Sequence, residues 1–134
     1  MQSLSFEKAG QIKDLAVTYV DAYRANHKEG PLGGKDLAAL VLAEDTPEWK
    51  AFKTALLSLS LPELKDLVAL MYVGRGDHVE NENDPANIRA AFEGHRASLE
   101  LDNQDSLTTI VHGKNARFHG YFERGITRMK LASA

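Results

Sequence analysis

The chain has no cysteine, which excludes disulfides, thiolate nucleophiles and cysteine-ligated zinc. It has four prolines in 134 residues, and aromatics make up 7%. Neither a proline-rich linker nor an aromatic-dense surface is therefore expected. No charge dominates: the net charge is −3, which gives no reason to expect a strongly basic nucleic-acid binder. The longest apolar run, Leu67 to Val73, is far short of the eighteen or so residues that cross a bilayer. The first ten residues lack the basic and apolar regions of a secretory signal, so a soluble, cytoplasmic chain with no membrane partner is expected.

What is present is ordinary for a globular protein, with 43% hydrophobic and 26% charged residues. The length fits one domain over residues 1–134. Helical periodicity runs through it. Ile12, Leu15, Ala16, Tyr19, Val20 and Tyr23 share one face, which predicts a helix from about Ser5 to Asn26. A Gly/Pro stretch at 28–34 breaks it and reads as a flexible loop, followed by a short helix from Lys35 to about Ala43. Thr46-Pro47-Glu48 starts another helix, continued by Trp49, Phe52, Leu56 and Leu59.

Ser60-Leu61-Pro62-Glu63 matches the capping box and opens a helix from Leu61 to Val73. That helix is apolar nearly all round and is expected at the centre of the bundle, with Gly74 as its left-handed cap. Asp84-Pro85 starts a helix to about Leu99 or Leu101, carrying Ile88, Ala91, Phe92 and His95 on one face. Asp102 to Ser106 reads as a turn, and Leu107 to His112 as a brief helix closed by Gly113. Asn115 is the expected cap of a last helix running to about Lys130. No segment alternates as a half-buried strand does. The fold class is all-α: a single-domain bundle of about six or seven helices around 61–73.

The stretch Pro62 to Asp77 ends in Ala-Leu-Met-Tyr-Val-Gly-Arg-Gly-Asp. It resembles the signature of a small bacterial, largely proteobacterial, family of unknown function that shares an Ala-Leu-Met-aromatic-x-Gly-Arg-Gly-Asp core. Tyr121-Phe122-Glu123-Arg124-Gly125 is similar to that family's aromatic closing helix, and the resemblance extends over roughly Leu56 to Ile126. His78 stands where the pattern has an aromatic, and Val111-His112-Gly113 where it has Leu-Leu-Gly. The resemblance implies the helical fold and carries no activity with it.

Two constellations could carry chemistry. In Gly74-Arg75-Gly76-Asp77 the glycines allow close approach of the backbone, Arg75 offers a planar fork to a carboxylate or phosphate, and Asp77 could orient it. The architectural alternative makes Gly74 a cap and Gly76 a turn, with Arg75 and Asp77 tying the loop to neighbouring helices. The spacing is not that of a phosphate-binding loop. On the last helix, Arg117, Tyr121, Arg124 and Arg128 share a narrow arc that could hold a polyanion and stack a base. The alternative there is internal: between Glu80 and Asp105 seven acids face two arginines, and the stripe would answer them.

None of the five histidines has zinc-binding helical spacing, and the loop carrying His78, Glu80, Glu82 and Asp84 lacks calcium-loop spacing, so no metal site, cofactor or catalytic set is assigned. The leading expectation is a non-enzymatic binding or regulatory module for a protein or a small anionic ligand. Trp49, Tyr72, Phe118, Tyr121 and Phe122 are read as an aromatic surplus compatible with a homodimer. The rivals are a nucleic-acid or polyanion binder on the arginine stripe and a small-ligand enzyme at Arg75 and Asp77 with His78 or His119 as base.

Overall fold

The amphipathic segments fold as helices, and no strand forms among the described residues. The computed structural model of the chain describes residues 1, 3–26, 47–112 and 118–133. Within them lie α1 (Phe6–Asn26), α2 (Pro47–Leu57), α3 (Leu61–Arg75), α4 (Pro85–Ser98), α5 (Gln104–His112) and α6 (Phe118–Ser133). The Gly/Pro stretch at 28–34, the expected helix over 35–43, and Thr46, Gly113, Asn115 and Arg117 lie outside the described residues. No described helix is long and apolar enough to cross a membrane.

The central helix is α3, as its all-round apolarity requires. Leu64, Leu67, Val68, Ala69, Leu70, Met71 and Val73 are all completely buried. It packs against α4, α5 and most extensively α6, while α1 bridges α2 and α6. Burial of such side chains stabilises by about 1.5–3 kcal/mol each, so α3 is the main source of stability in the bundle. Its start is the capping box: Glu63 N donates to Ser60 Oγ at 3.3 Å, and Ser60 N donates to Glu63 Oε1 at 3.0 Å. The Lys8 ammonium reaches the same carboxylate at 2.8 Å, and this bond, with the Ser60 amide, holds Glu63 below the usual carboxylate range.

One acid sits inside the apolar wheel. Asp66 is fully buried and accepts from Ser3 N at 2.6 Å, Leu4 N at 2.9 Å and Arg96 Nε at 2.9 Å. It thereby ties the segment before α1 and the end of α4 to the centre of α3. A buried carboxylate is tolerated because all three donors converge on it.

Three expectations are corrected. Gly74 does not cap α3; it is a buried helical residue, and Gly76 takes the left-handed cap at φ 98°. An alanine Cβ at Gly74 would lie 2.7 Å from the Tyr121 carbonyl carbon and 2.8 Å from Gly125 N. The residue is therefore a notch for the α6 backbone. The turn read over 102–106 is shorter, because Asn103 starts α5 one turn earlier: Ser106 N donates to Asn103 Oδ1 at 2.8 Å, and Asn103 N to Ser106 Oγ at 3.0 Å. Finally, Trp49 and Phe122 are buried in the core and form no surface surplus; Trp49 packs between Tyr19 and Phe52.

Candidate functional site

The two constellations, some fifty residues apart in the chain, meet at one place. The C-terminus of α3 leaves carbonyls without helical partners, as every helix does. Gly76 N bonds back to Tyr72 O and Val73 O, each at 3.1 Å, and Asp77 N to Tyr72 O at 3.1 Å. Val73 O receives a second donor, and Gly74 O its donors, from α6. Arg128 Nη1 donates to Val73 O at 2.5 Å and Gly74 O at 3.2 Å, and Arg124 Nε donates to Gly74 O at 3.1 Å. Cationic groups at the negative end of a helix are favourably placed. The close crossing at Gly74 brings them within reach.

Within the turn, Arg75 and Asp77 engage each other. Arg75 Nε donates to both Asp77 carboxylate oxygens, at 3.0 and 3.1 Å, and its Nη2 makes a second contact with Oδ2. This bond from Asp77 raises the Arg75 pKa above its ordinary value. The guanidinium also lies 5.0 Å from the Tyr72 ring centre. Arg75 and Asp77 thus engage each other within the turn. The backbone links the turn to α4: His95 Nε2 donates to the Asp77 carbonyl at 2.8 Å.

His95 is buried and sits between two rings, Tyr72 and His78, each with centroids 5.2 Å away. Burial pushes the Tyr72 phenol above its usual pKa. His78 is exposed and takes a left-handed conformation at φ 62°, which turns the chain out of α3 and sets its ring against His95. The following loop is held by α4. Asn87 Oδ1 accepts from Glu80 N and Asn81 N, each at 2.9 Å, and Asp84 caps α4 through Ala86 N at 3.0 Å.

The basic arc is therefore only partly a surface feature. Arg128 is 17% exposed, and its Nη2 pairs with Glu82 at 3.0 Å, the single ion pair between the arc and the acidic loop among the described residues. Arg124 is exposed, with its guanidinium 5.5 Å from the Tyr121 ring centre. It lies over Gly120, where a Cβ would come within 3.4 Å of Nη1. Beside them opens a groove of about 490 Å³ lined by Glu82, Asn83, Glu123, Arg124, Thr127, Arg128 and Leu131. A second groove, of about 210 Å³, lies between α4 and the end of α6 beside Met1, Arg89, Phe92 and Met129.

Gly74, Arg75, Gly76, Asp77, Arg124 and Arg128 are thus brought together, and Tyr121 borders them; Arg117 lies outside the described residues. His119 is on the first turn of α6, and neither groove is lined by Arg75, Asp77, His78 or His119. Among the described residues no group of three or more acids and histidines is placed to hold a metal ion. The residue missed from the sequence is Asp66, whose signal was an acid on a helix that reads as apolar nearly all round. Comparison with protein-family models, with curated proteins and with solved structures found no match for this chain.

Proposed function

We propose that the chain is a non-enzymatic binding module that takes one anionic group, a carboxylate or a phosphate, at Arg124 in the groove beside the acidic loop. The carrying observation is the state of that guanidinium. Its Nε is fixed on the Gly74 carbonyl and its plane lies over Tyr121 and Gly120, while Nη1 and Nη2 donate to no acceptor among the described residues. An arginine held in place on one edge and open on the other has lost most of its freedom before a ligand arrives, which favours binding. The role given to Arg75 from sequence passes to Arg124, because Arg75 is closed by its own Asp77.

The same groove carries Glu82 and Glu123, which repel a string of phosphates, and Arg128 is already engaged by Glu82. These features favour a single anion over a nucleic acid. The polyanion reading keeps one exposed arginine of the two described. The enzyme reading needs Arg75, Asp77 and a histidine base around one cavity, and the two grooves described take none of them. The likeness to the Gly-Arg-Gly-Asp family and the cytoplasmic placement belong to the same proposal.

Amide NMR titrations with inorganic phosphate, acetate and a single-stranded oligonucleotide test it. The small anions are expected to give saturable shifts at Asn83, Arg124 and Thr127 that disappear in Arg124→Gln. No saturable shift in the groove with either ion at low ionic strength would overturn the reading. Oligonucleotide binding with a steep salt dependence, of several released counterions, would replace it by the polyanion one.

A further inference from the structure

A different end of the bundle carries an interaction surface independent of that groove. Leu101 is 98% exposed, although it sits in an ordered turn: Glu100 N bonds to Ala97 O at 3.2 Å, Asp102 N to Leu99 O at 3.0 Å, and Ser106 Oγ to Asp102 Oδ1 at 2.9 Å. A single exposed leucine is unremarkable. Here two long-range bonds bring others to the same end. Gln104 Nε2 donates to the Leu57 carbonyl at 3.1 Å, tying α5 to the end of α2, and Lys65 Nζ donates to the Glu100 carbonyl at 2.8 Å, tying the turn to α3. Leu57 is 48% exposed and Leu61, one turn before Lys65, is 38% exposed. Among the described residues, three of the four exposed large hydrophobic residues thus come from three elements that meet at this end. Such concentration marks an interaction surface.

We propose that this end joins two copies of the chain in a twofold dimer, Leu101 of each packing beside Leu57 and Leu61 of the other. The charges around the leucines favour a second copy as the occupant. Leu101 is flanked by the acids Glu100 and Asp102, whereas Leu57 is preceded at one helical turn by Lys53; Lys65 is already engaged by the Glu100 carbonyl of its own chain. In a twofold contact residue i meets j and j meets i, so one patch must carry both signs beside its apolar centre. This one does. The acids beside each Leu101 then face Lys53 beside the other copy's Leu57, and opposite charges fix the register.

Sedimentation equilibrium of the full chain from micromolar to millimolar concentration tests the proposal. Wild type is expected to show a monomer–dimer equilibrium. Leu101→Ser is expected to weaken it by roughly 100-fold, since each copy loses a buried leucine. Because Leu101 is in water in the single chain, the variant keeps the wild-type melting temperature at low concentration, which separates loss of contact from loss of fold. Lys53→Glu and Glu100→Lys are each expected to abolish self-association, and a mixture of the two to form a one-to-one dimer in which both cross-contacts are again of opposite sign. A strict monomer at every concentration overturns the proposal and leaves this end to a different partner. A dimer indifferent to Leu101→Ser, or a mixture that does not associate, overturns it as well.

Discussion

Gly74→Ala is expected to destabilise the fold, although alanine is the better residue inside a helix by about 1 kcal/mol. The backbone at Gly74 is helical, the left-handed position being Gly76, so alanine meets no conformational barrier there. What it meets is another backbone. The added Cβ would stand 2.7 Å from the Tyr121 carbonyl carbon and 2.8 Å from Gly125 N, with the Tyr121 carbonyl oxygen nearer still. Carbon contacts are comfortable at about 3.5–4 Å, so α6 must retreat by on the order of an ångström. A side chain can swing aside, but these atoms move only with their helix. Overpacking costs about 1–3 kcal/mol, and retreat also lengthens the Arg124 and Arg128 bonds to the end of α3. A net loss of roughly 3 kcal/mol follows, about 10 °C in melting temperature for a chain of this size. Gly10 and Gly94 supply the control: both lie in helices, with nothing within 4 Å of an added Cβ. Gly94→Ala and Gly10→Ala are expected to stabilise by about 0.5–1 kcal/mol. Urea denaturation followed by circular dichroism measures all three. If Gly74→Ala matches or exceeds wild type as the controls do, the close crossing is refuted.

Other perturbations separate the remaining ties. Asp66→Ala leaves the Arg96 guanidinium and two backbone amides without their acceptor and is expected to cost about 3–5 kcal/mol, with faster hydrogen exchange at Ser3 and Leu4. Ser60→Ala removes the cap of α3 and is expected to cost about 1 kcal/mol by urea titration. The lowered pKa of Glu63 means that its stabilisation is complete above the usual carboxylate range and is lost as pH falls through its folded value. The acid limb of a stability–pH curve is therefore expected to flatten in Glu63→Gln, and an unchanged limb would contradict the assignment. Arg128→Met keeps the packing of the stem but removes the donor it gives to Val73 O and Gly74 O and releases Glu82. It is expected to cost about 1–3 kcal/mol, mostly insensitive to salt because the exposed Glu82 pair contributes little.

Local chemistry made much of the fold legible. The Ser60 and Asp84 starts, the apolar wheel of 61–73 and the buried face of Ile88, Phe92 and His95 were all readable within one or two turns of chain. Gly74 and Gly76 were not separable that way, because either can end a helix and only the approach of α6 decides between them. The last helix hid its packing role for a related reason. Arginines spaced along one arc look like a binding stripe, yet Arg124 and Arg128 bond carbonyls at the end of α3, and Arg89 does the same for Ala132 O at 2.6 Å. Their partners are backbone atoms forty or more residues away, which leave no trace in charge or periodicity. The pairing of Arg75 with Asp77, two residues apart, lay in plain view, but the sequence alone allowed it to reach outward as readily as to close.

The glycine crossing fixes more than distance. Gly74 receives the backbone at Tyr121 and Gly125, and Gly125 in turn receives the Leu70 carbonyl, where a Cβ would also meet the Leu70 side chain at 2.9 Å. Each helix is key and lock to the other. Sliding by a single residue would bring Arg75 or Val73, and Arg124 or Ile126, into slots that accept no side chain. The pair therefore has one register and moves as a welded unit. A chain of bonds therefore runs from Arg124 on α6 through Gly74 to the turn that holds Asp77, and from the Asp77 carbonyl to the ring of His95.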